Sequence, residues 1–255
     1  YLLGSVHLLP EAAHPLPAAL EAAYRAADTV IFESDLAALE APELQRTLLV
    51  AARGRGLRSE LPAPLYARVG IRATQLGMTA SVCDPYTAWF CAMTLELAAF
   101  REQGFDAARG IDQHFFERAL ADDKDLAWLE APTAHLQVFT RMGEALGAEY
   151  LRATLDDEQN PDEQPAALFA AWQRGDDRFV EKLVTRTRQE SPQLYTLLLA
   201  DRNRAWLPQL EAELKKSEPR LIIVGAAHLY GPDGLLAALR ARGFAIRSAA
   251  PALSR

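Results

Sequence analysis

The chain has 255 residues, half of them apolar and 24% charged, with 27 basic against 34 acidic side chains for a net charge of −7. That is an ordinary globular composition. It excludes a disordered chain or a collagen and, with no overall basic field, argues against nucleic acid or an anionic membrane surface as a partner. The two cysteines, Cys83 and Cys91, exclude a disulfide-stapled miniature scaffold and leave open whether they bond each other.

In chain order, Tyr1-Leu2-Leu3 reads as a short buried strand running into Gly4, and an opening on a strand without Met points to a segment upstream. Pro15 and Pro17 start a helix with an Ala- and Leu-rich interior that ends at Asp28. Thr29-Val30-Ile31-Phe32 is β-branched and apolar, a second buried strand. Pro42-Glu43 opens a helix stopped by Gly54 and Gly56, and Asp84-Pro85 caps and opens another through about Phe100. The run from Trp89 to Phe100 is too short to span a bilayer and contains Glu96. Gly110-Ile111-Asp112 leads a helix with Phe115, Phe116 and Leu120 on its apolar side, and Leu126 to Leu129 suits a short strand.

Helical patterns dominate from Thr133 to Lys216, broken by the acidic turn Asp156 to Pro161, with a long helix from Ser191-Pro192 expected to kink at Pro208. Leu221-Ile222-Ile223-Val224 is the clearest strand, its continuous apolar run suiting burial on both faces. A helix over Pro232 to Arg242, a stop at Gly243 and a last strand over Phe244 to Arg247 complete the chain. The expectation is one α/β domain over 1–255: a central mixed sheet built from the N- and C-terminal strand–helix–strand units, with a large helical insertion at roughly 132–217.

The two terminal units echo each other. Both place Gly-x-x-His-Leu directly after an apolar strand, at Gly4 to Leu8 and at Gly225 to Leu229. Glycine lets the backbone turn sharply there, and the carboxyl edge of an open α/β sheet is where ligands bind. If the two strands lie side by side, His7 and His228 face one crevice, with Glu33 following the neighbouring strand. Two imidazoles and a carboxylate suit a divalent transition metal or Zn²⁺, and equally a metal-free site with one His as general base on water. On the long helix Leu199, Asn203, Trp206, Leu207, Leu210 and Leu214 share an apolar stripe, so Asn203 needs a hydrogen-bond partner: a His, a substrate or a loop backbone. Arg202 would stabilise an oxyanion, hold Glu33, or lie in solvent. Asp112 reads as a helix N-cap or as the partner of a site His. His14, His114 and His135 lack a motif and read as surface or capping residues. There is no G-x-S-x-G elbow, no HExxH and no dinucleotide fingerprint, so no organic cofactor is expected.

The ordered set Gly4-Ser5-Val6-His7, Glu33 in IFESD, Gly110-Ile111-Asp112, Trp128-Leu129-Glu130, Arg202-Asn203-Arg204-Ala205-Trp206 and Gly225-Ala226-Ala227-His228 resembles the TraB/PrgY/GumN family, which includes the Tiki proteins. The likeness runs over essentially the whole chain and fits the bacterial GumN-like branch best. It implies an α/β fold similar to the erythromycin esterases and ChaN-like proteins. It also implies a hydrolase, foremost a metal-dependent peptidase in which His7, Glu33 and His228 hold Mn²⁺, Co²⁺ or Zn²⁺. Arg202 and Asn203 complete the catalytic group on that reading, supported by Gly4, Gly225 and Asp112. The erythromycin esterases use His without metal, so the alternatives are a metal-free His-based esterase or amidase, or a non-catalytic peptide binder. A peptide or small-molecule partner and a location in the bacterial periplasm or cell envelope follow from the same resemblance.

Overall fold

The computed structural model describes residues 1–157, 160 and 164–248, and these divide into two compact units. The first comprises residues 1–36, 106–132 and 169–255, the second 37–105 and 133–168.

The first unit is an α/β layer structure. Strands β1 (Leu2–Ser5), β2 (Thr29–Phe32), β3 (Asp125–Trp128) and β4 (Arg220–Gly225) form one four-stranded sheet in the order β1-β4-β2-β3. Every pairing is parallel, with Ser5 opposite Gly225, Phe32 opposite Ile223, and Phe32 opposite Trp128. The sheet is therefore parallel rather than mixed. Each strand is reached through a crossover connection, so all four run the same way, and the last strand expected at Phe244–Arg247 does not form. The C-terminal strand lies between the two N-terminal ones, which is what the paired motifs require.

Alternation along the central strands assigns each face a core. Val30, Phe32, Leu221 and Ile223 pack with Tyr24 of α1 (Ala18–Ala26) and Ile111, Phe115 and Phe116 of α2 (Ile111–Ala121). Ile31, Ile222 and Val224 pack on the opposite side with Trp206, Leu207 and Leu210 of α3 (Asp201–Leu214) and Leu235 and Leu239 of α4 (Leu235–Ala241). Strand β4 is buried from Leu221 to Gly225, as its unbroken apolar run predicts. Each such side chain contributes about 1.5–3 kcal/mol by leaving water. Helix α3 continues directly from the segment Pro192–Tyr195 through a π-turn at Thr196–Ala200. The departure from α geometry falls there, although the expected kink was at Pro208, which lies inside α3.

The second unit is helical. Leu57, Val69, Ala73, Ala88, Ala92, Leu95, Leu151 and Leu155 form its core, drawn from helices that include Ala63–Gln75, Ala88–Glu102 and Glu144–Asp157. Thr87, not Asp84, precedes the helix expected to begin at Asp84-Pro85. Cys83 and Cys91 are disulfide-bonded within this core. The expected insertion at 132–217 is shared out, its residues 133–168 grouping with 37–105 and the remainder with the sheet. Of the acidic turn, Asp156 and Asp157 end a helix, while residues 158, 159 and 161 lie outside the described residues. Among the described residues no helix is long and apolar enough to cross a membrane.

Candidate functional site

All four strands deliver polar side chains at their carboxyl ends. Ser5 ends β1 and His7 follows two residues on; Glu33 follows β2; Glu130 comes two residues after β3; Gly225 ends β4 and turns through Ala226–His228. Beyond the strands the β2–β3 ladder continues, Leu129 N donating to Phe32 O at 3.0 Å and Glu130 N to Glu33 O at 2.9 Å. The two glutamates are thereby held side by side.

Gly225 is the common neighbour. A Cβ there would lie 3.2 Å from His7 Nε2, 3.4 Å from Glu33 Oε1 and 3.6 Å from His228 Cδ2. The structure thus brings His7, Glu33 and His228 around one point beside Gly225, where an added side chain would crowd the His7 ring. The Gly225 N–H donates to Glu33 Oε1 at 2.7 Å. Gly4 serves packing, since its Cβ would meet Leu229 Cδ1 at 2.9 Å.

The two histidines differ. His7 keeps 58% of its side chain exposed, and its Nδ1 pairs with Asp112 Oδ2 at 2.8 Å. The second Asp112 oxygen accepts from Ser5 Oγ at 2.9 Å. Asp112 is buried in the first turn of α2, where Gly110 is the N-cap residue, so it partners a histidine rather than capping the helix. Ile111 N donates to Val6 O at 3.1 Å, docking α2 against the His7 turn. The Asp112 carboxylate raises His7 to about 9, with Glu33 adding to it and burial and Arg202 opposing. Near neutrality this ring carries a proton, with Nδ1–H on Asp112 and Nε2 beside Gly225.

His228 is 4% exposed and fully engaged. Its Nδ1–H donates to Asn203 Oδ1 at 2.7 Å, and its Nε2 accepts from Arg202 Nη1 at 3.0 Å. Asn203 Nδ2 donates to the carbonyls of His228 and Asp233 at 3.1 and 2.9 Å, so this buried amide is satisfied at both ends. Burial, then Arg202 and His7, push His228 down to about 4, against the pull of Glu33 and Glu130. It is neutral, an acceptor that faces a guanidinium.

Arg202 binds both glutamates: Nη2 donates to Glu33 Oε2 and to Glu130 Oε1, each at 2.6 Å. Its Nε donates to Glu130 Oε2 at 3.3 Å, and Nη1 also faces Leu198 O at 3.5 Å. A guanidinium has five N–H donors, so this arrangement leaves none for an oxyanion. Of the roles read from the sequence, holding Glu33 is the one that fits. Burial would lift the Glu33 carboxyl, yet the His228 and Arg202 side chains, His7 and the Gly225 N–H hold it well below the usual carboxylate range. Of those neighbours Arg202 and His7 bear the charge.

The three expected ligands do not fit a divalent ion held jointly in this arrangement. Both nitrogens of His228 are taken by protein groups, and a metal there would have to displace a guanidinium bound to two carboxylates. His7 is the exposed member, whereas Glu33 is buried with both oxygens bonded, Oε1 to the Gly225 N–H and Oε2 to Arg202.

Glu130 joins the site although the sequence reading gives it no role there. The signal was available, since Glu130 follows the β3 strand just as Glu33 follows β2. Of the other histidines, His14 Nε2–H donates to Arg109 O at 2.9 Å, and the His114 and His14 rings lie 5.2 Å apart. His135 belongs to the second unit.

Comparison with known proteins agrees with the motif order. No solved structure matches the chain. YbaP of Escherichia coli K12 and YbaP of Shigella flexneri, both described as uncharacterized, are each 24% identical over 240 residues, covering 94% of this chain and 87% of the relative. The model of the TraB/PrgY/gumN family matches residues 1–248, and the chain belongs to that family.

Proposed function

We propose that the protein is a hydrolase in which His7, oriented by Asp112, moves a proton between water and a bound ester or amide. The observation that carries this is the Asp112–His7 pair, on a ring that keeps 58% of its side chain exposed and whose Nε2 lies beside Gly225 and Glu33. Nδ1 bonded to a carboxylate fixes the tautomer, which is how a general base is prepared. In its neutral form His7 takes the proton of an attacking water, and as imidazolium it returns a proton to the leaving group. Glu33, kept anionic by Arg202, stabilises the imidazolium. His228 and Asn203 hold the floor of the site and accept no substrate proton. This makes the metal-free alternative the leading reading. A kinship of fold with the erythromycin esterases belongs to the same proposal.

The second reading is a divalent ion on His7 and Glu33 without His228. It is favoured by the carboxylate–imidazole pair itself, an arrangement that also orients metal-bound histidines. An exported location in the periplasm or cell envelope accords with the Cys83–Cys91 disulfide, a bond that persists in oxidising compartments.

The test is a panel of esters and peptides assayed with wild type and His7→Asn, before and after exhaustive chelation. Activity that survives chelation and falls at least about 100-fold in His7→Asn supports the proposal. Loss on chelation with recovery on Mn²⁺, Co²⁺ or Zn²⁺ moves the assignment to the metal reading. Equal turnover by wild type and His7→Asn rejects both.

A further inference from the structure

Glu130 makes the most complete set of contacts to Arg202. Its two oxygens take the side edge of the guanidinium, Oε1 from Nη2 at 2.6 Å and Oε2 from Nε at 3.3 Å. Oε2 also accepts the indole N–H of Trp206 at 3.0 Å. The Trp206 ring lies flat enough against the guanidinium to place Cζ 4.6 Å from its centroid, and its centroid is 4.5 Å from that of His228. Arg202 is thus clamped in its plane by Glu130 and from one face by Trp206. The acid is itself aimed by the backbone, through Glu130 N to Glu33 O at 2.9 Å. What the clamp leaves over is one Nη2–H for Glu33 and Nη1 for His228 Nε2.

We infer that Glu130 is a positioning residue, which with Trp206 locks the Arg202 guanidinium so that it holds Glu33 and the His228 ring in one arrangement. A planar guanidinium bound side-on by a carboxylate cannot turn about Cζ without breaking both bonds. Without Glu130, Arg202 loses the side-on fork that fixes its plane, and it no longer holds Glu33 and His228 in one arrangement. The aiming of Arg202 stands on geometry alone; its consequence for turnover rests on the hydrolase reading.

The experiment separates the two. The Arg202 side-chain N–H signals are observed by NMR in substrate-free wild type, Glu130→Gln and Glu130→Asp, assigned with Arg202→Lys. Wild type shows a slowly exchanging Nε–H and hindered rotation of the Nη groups. Glu130→Gln loses both features, while Glu130→Asp, which keeps a carboxylate, recovers part of the protection. On the substrates hydrolysed by wild type, kcat of Glu130→Gln falls about 10- to 100-fold with KM changed little, and Glu130→Asp is intermediate. Thermal melting confirms that each variant is folded, and Glu130→Asp carries the test if Glu130→Gln does not fold. Wild-type Arg202 signals in both variants overturn the clamp. A freed guanidinium with undiminished kcat overturns its catalytic consequence and leaves the hydrolase reading untouched. A chain that hydrolyses nothing defeats that reading, and the NMR result still decides the clamp.

Discussion

Arg202 Nη1 donates to His228 Nε2 across 3.0 Å, and that bond, with burial, sets His228 apart from His7, whose ring pairs with the Asp112 carboxylate instead. The repeated motif suggested twin ligands. What it delivers is one exposed, charged imidazole at His7 and one buried, neutral imidazole at His228. The variants should follow suit. His7→Asn removes activity and lowers the melting temperature less than His228→Asn does, because it gives up the Asp112 pair but the ring itself is more than half exposed. His228→Asn unfolds at lower temperature, because it strands Asn203 Oδ1 and Arg202 Nη1 in the interior. Differential scanning calorimetry beside the hydrolysis assay checks the contrast, and similar melting losses for the two would contradict it.

Hydrolysis should increase with pH. His7 is held at about 9 in the free protein, so the basic form needed to accept a proton grows between neutrality and that value. A plot of kcat/KM against pH reports this free-enzyme group. Asp112→Asn removes the carboxylate that raises His7, so its limb moves to lower pH while the plateau drops. A limb unmoved by Asp112→Asn would mean that another group is being titrated.

Stability should peak between the two histidines' ranges. His7 is raised from 6.5 to about 9, so its contribution is fully present below 6.5 and is lost as pH rises towards 9. His228 is lowered from 6.5 to about 4, so between those values the unfolded chain binds a proton that the native one does not. Stability therefore falls as pH drops from about 6.5 towards 4. Urea unfolding across pH 4 to 9 measures both flanks. The alkaline decline should flatten in His7→Asn while the acid decline persists.

Gly110 is the tightest point behind His7. A Cβ there would come within 2.1 Å of the His7 carbonyl oxygen, a backbone atom with nowhere to go. Gly110→Ala should cost about 3 kcal/mol or more, as overpacking against fixed atoms does. Gly143, whose Cβ would meet nothing within 4 Å, is the control, and Gly143→Ala should change stability by less than about 1 kcal/mol. Chemical denaturation of the pair provides the comparison.

Reducing the Cys83–Cys91 bond should destabilise the helical unit. The separation of 8 residues closes a short loop, for which chain entropy gives about 2–3 kcal/mol. Denaturant melts with and without a phosphine reductant test this, and a Cys83→Ser, Cys91→Ser double variant should be insensitive to it.

The sheet was legible because its strands carry their signal locally. Leu221 to Val224 and Thr29 to Phe32 are apolar runs bounded by turn residues, and the matching motifs implied that their ends meet. Phe244 to Arg247 misled because a short run of mixed polarity looks like an edge strand until pairing is known. The sharing-out of residues 132–217 could not be read, since helical periodicity is the same whichever unit a helix packs against. In the site, His7, Glu33 and His228 were legible from their place after strands. The asymmetry between the histidines was not, because it depends on Asp112 and on Arg202 and Asn203, which arrive from a helix nearly 200 residues after the first motif, a relationship no local spacing encodes.

Among the described residues β4 is the one strand that β1 pairs with, and it also separates β1 from β2. A ribosome that has not yet made Arg220 to Gly225 holds a nascent chain whose first strand has no neighbour. Those residues must therefore be made before β1 can join the sheet, and a chain released ahead of them would expose that apolar strand to chaperones or proteases.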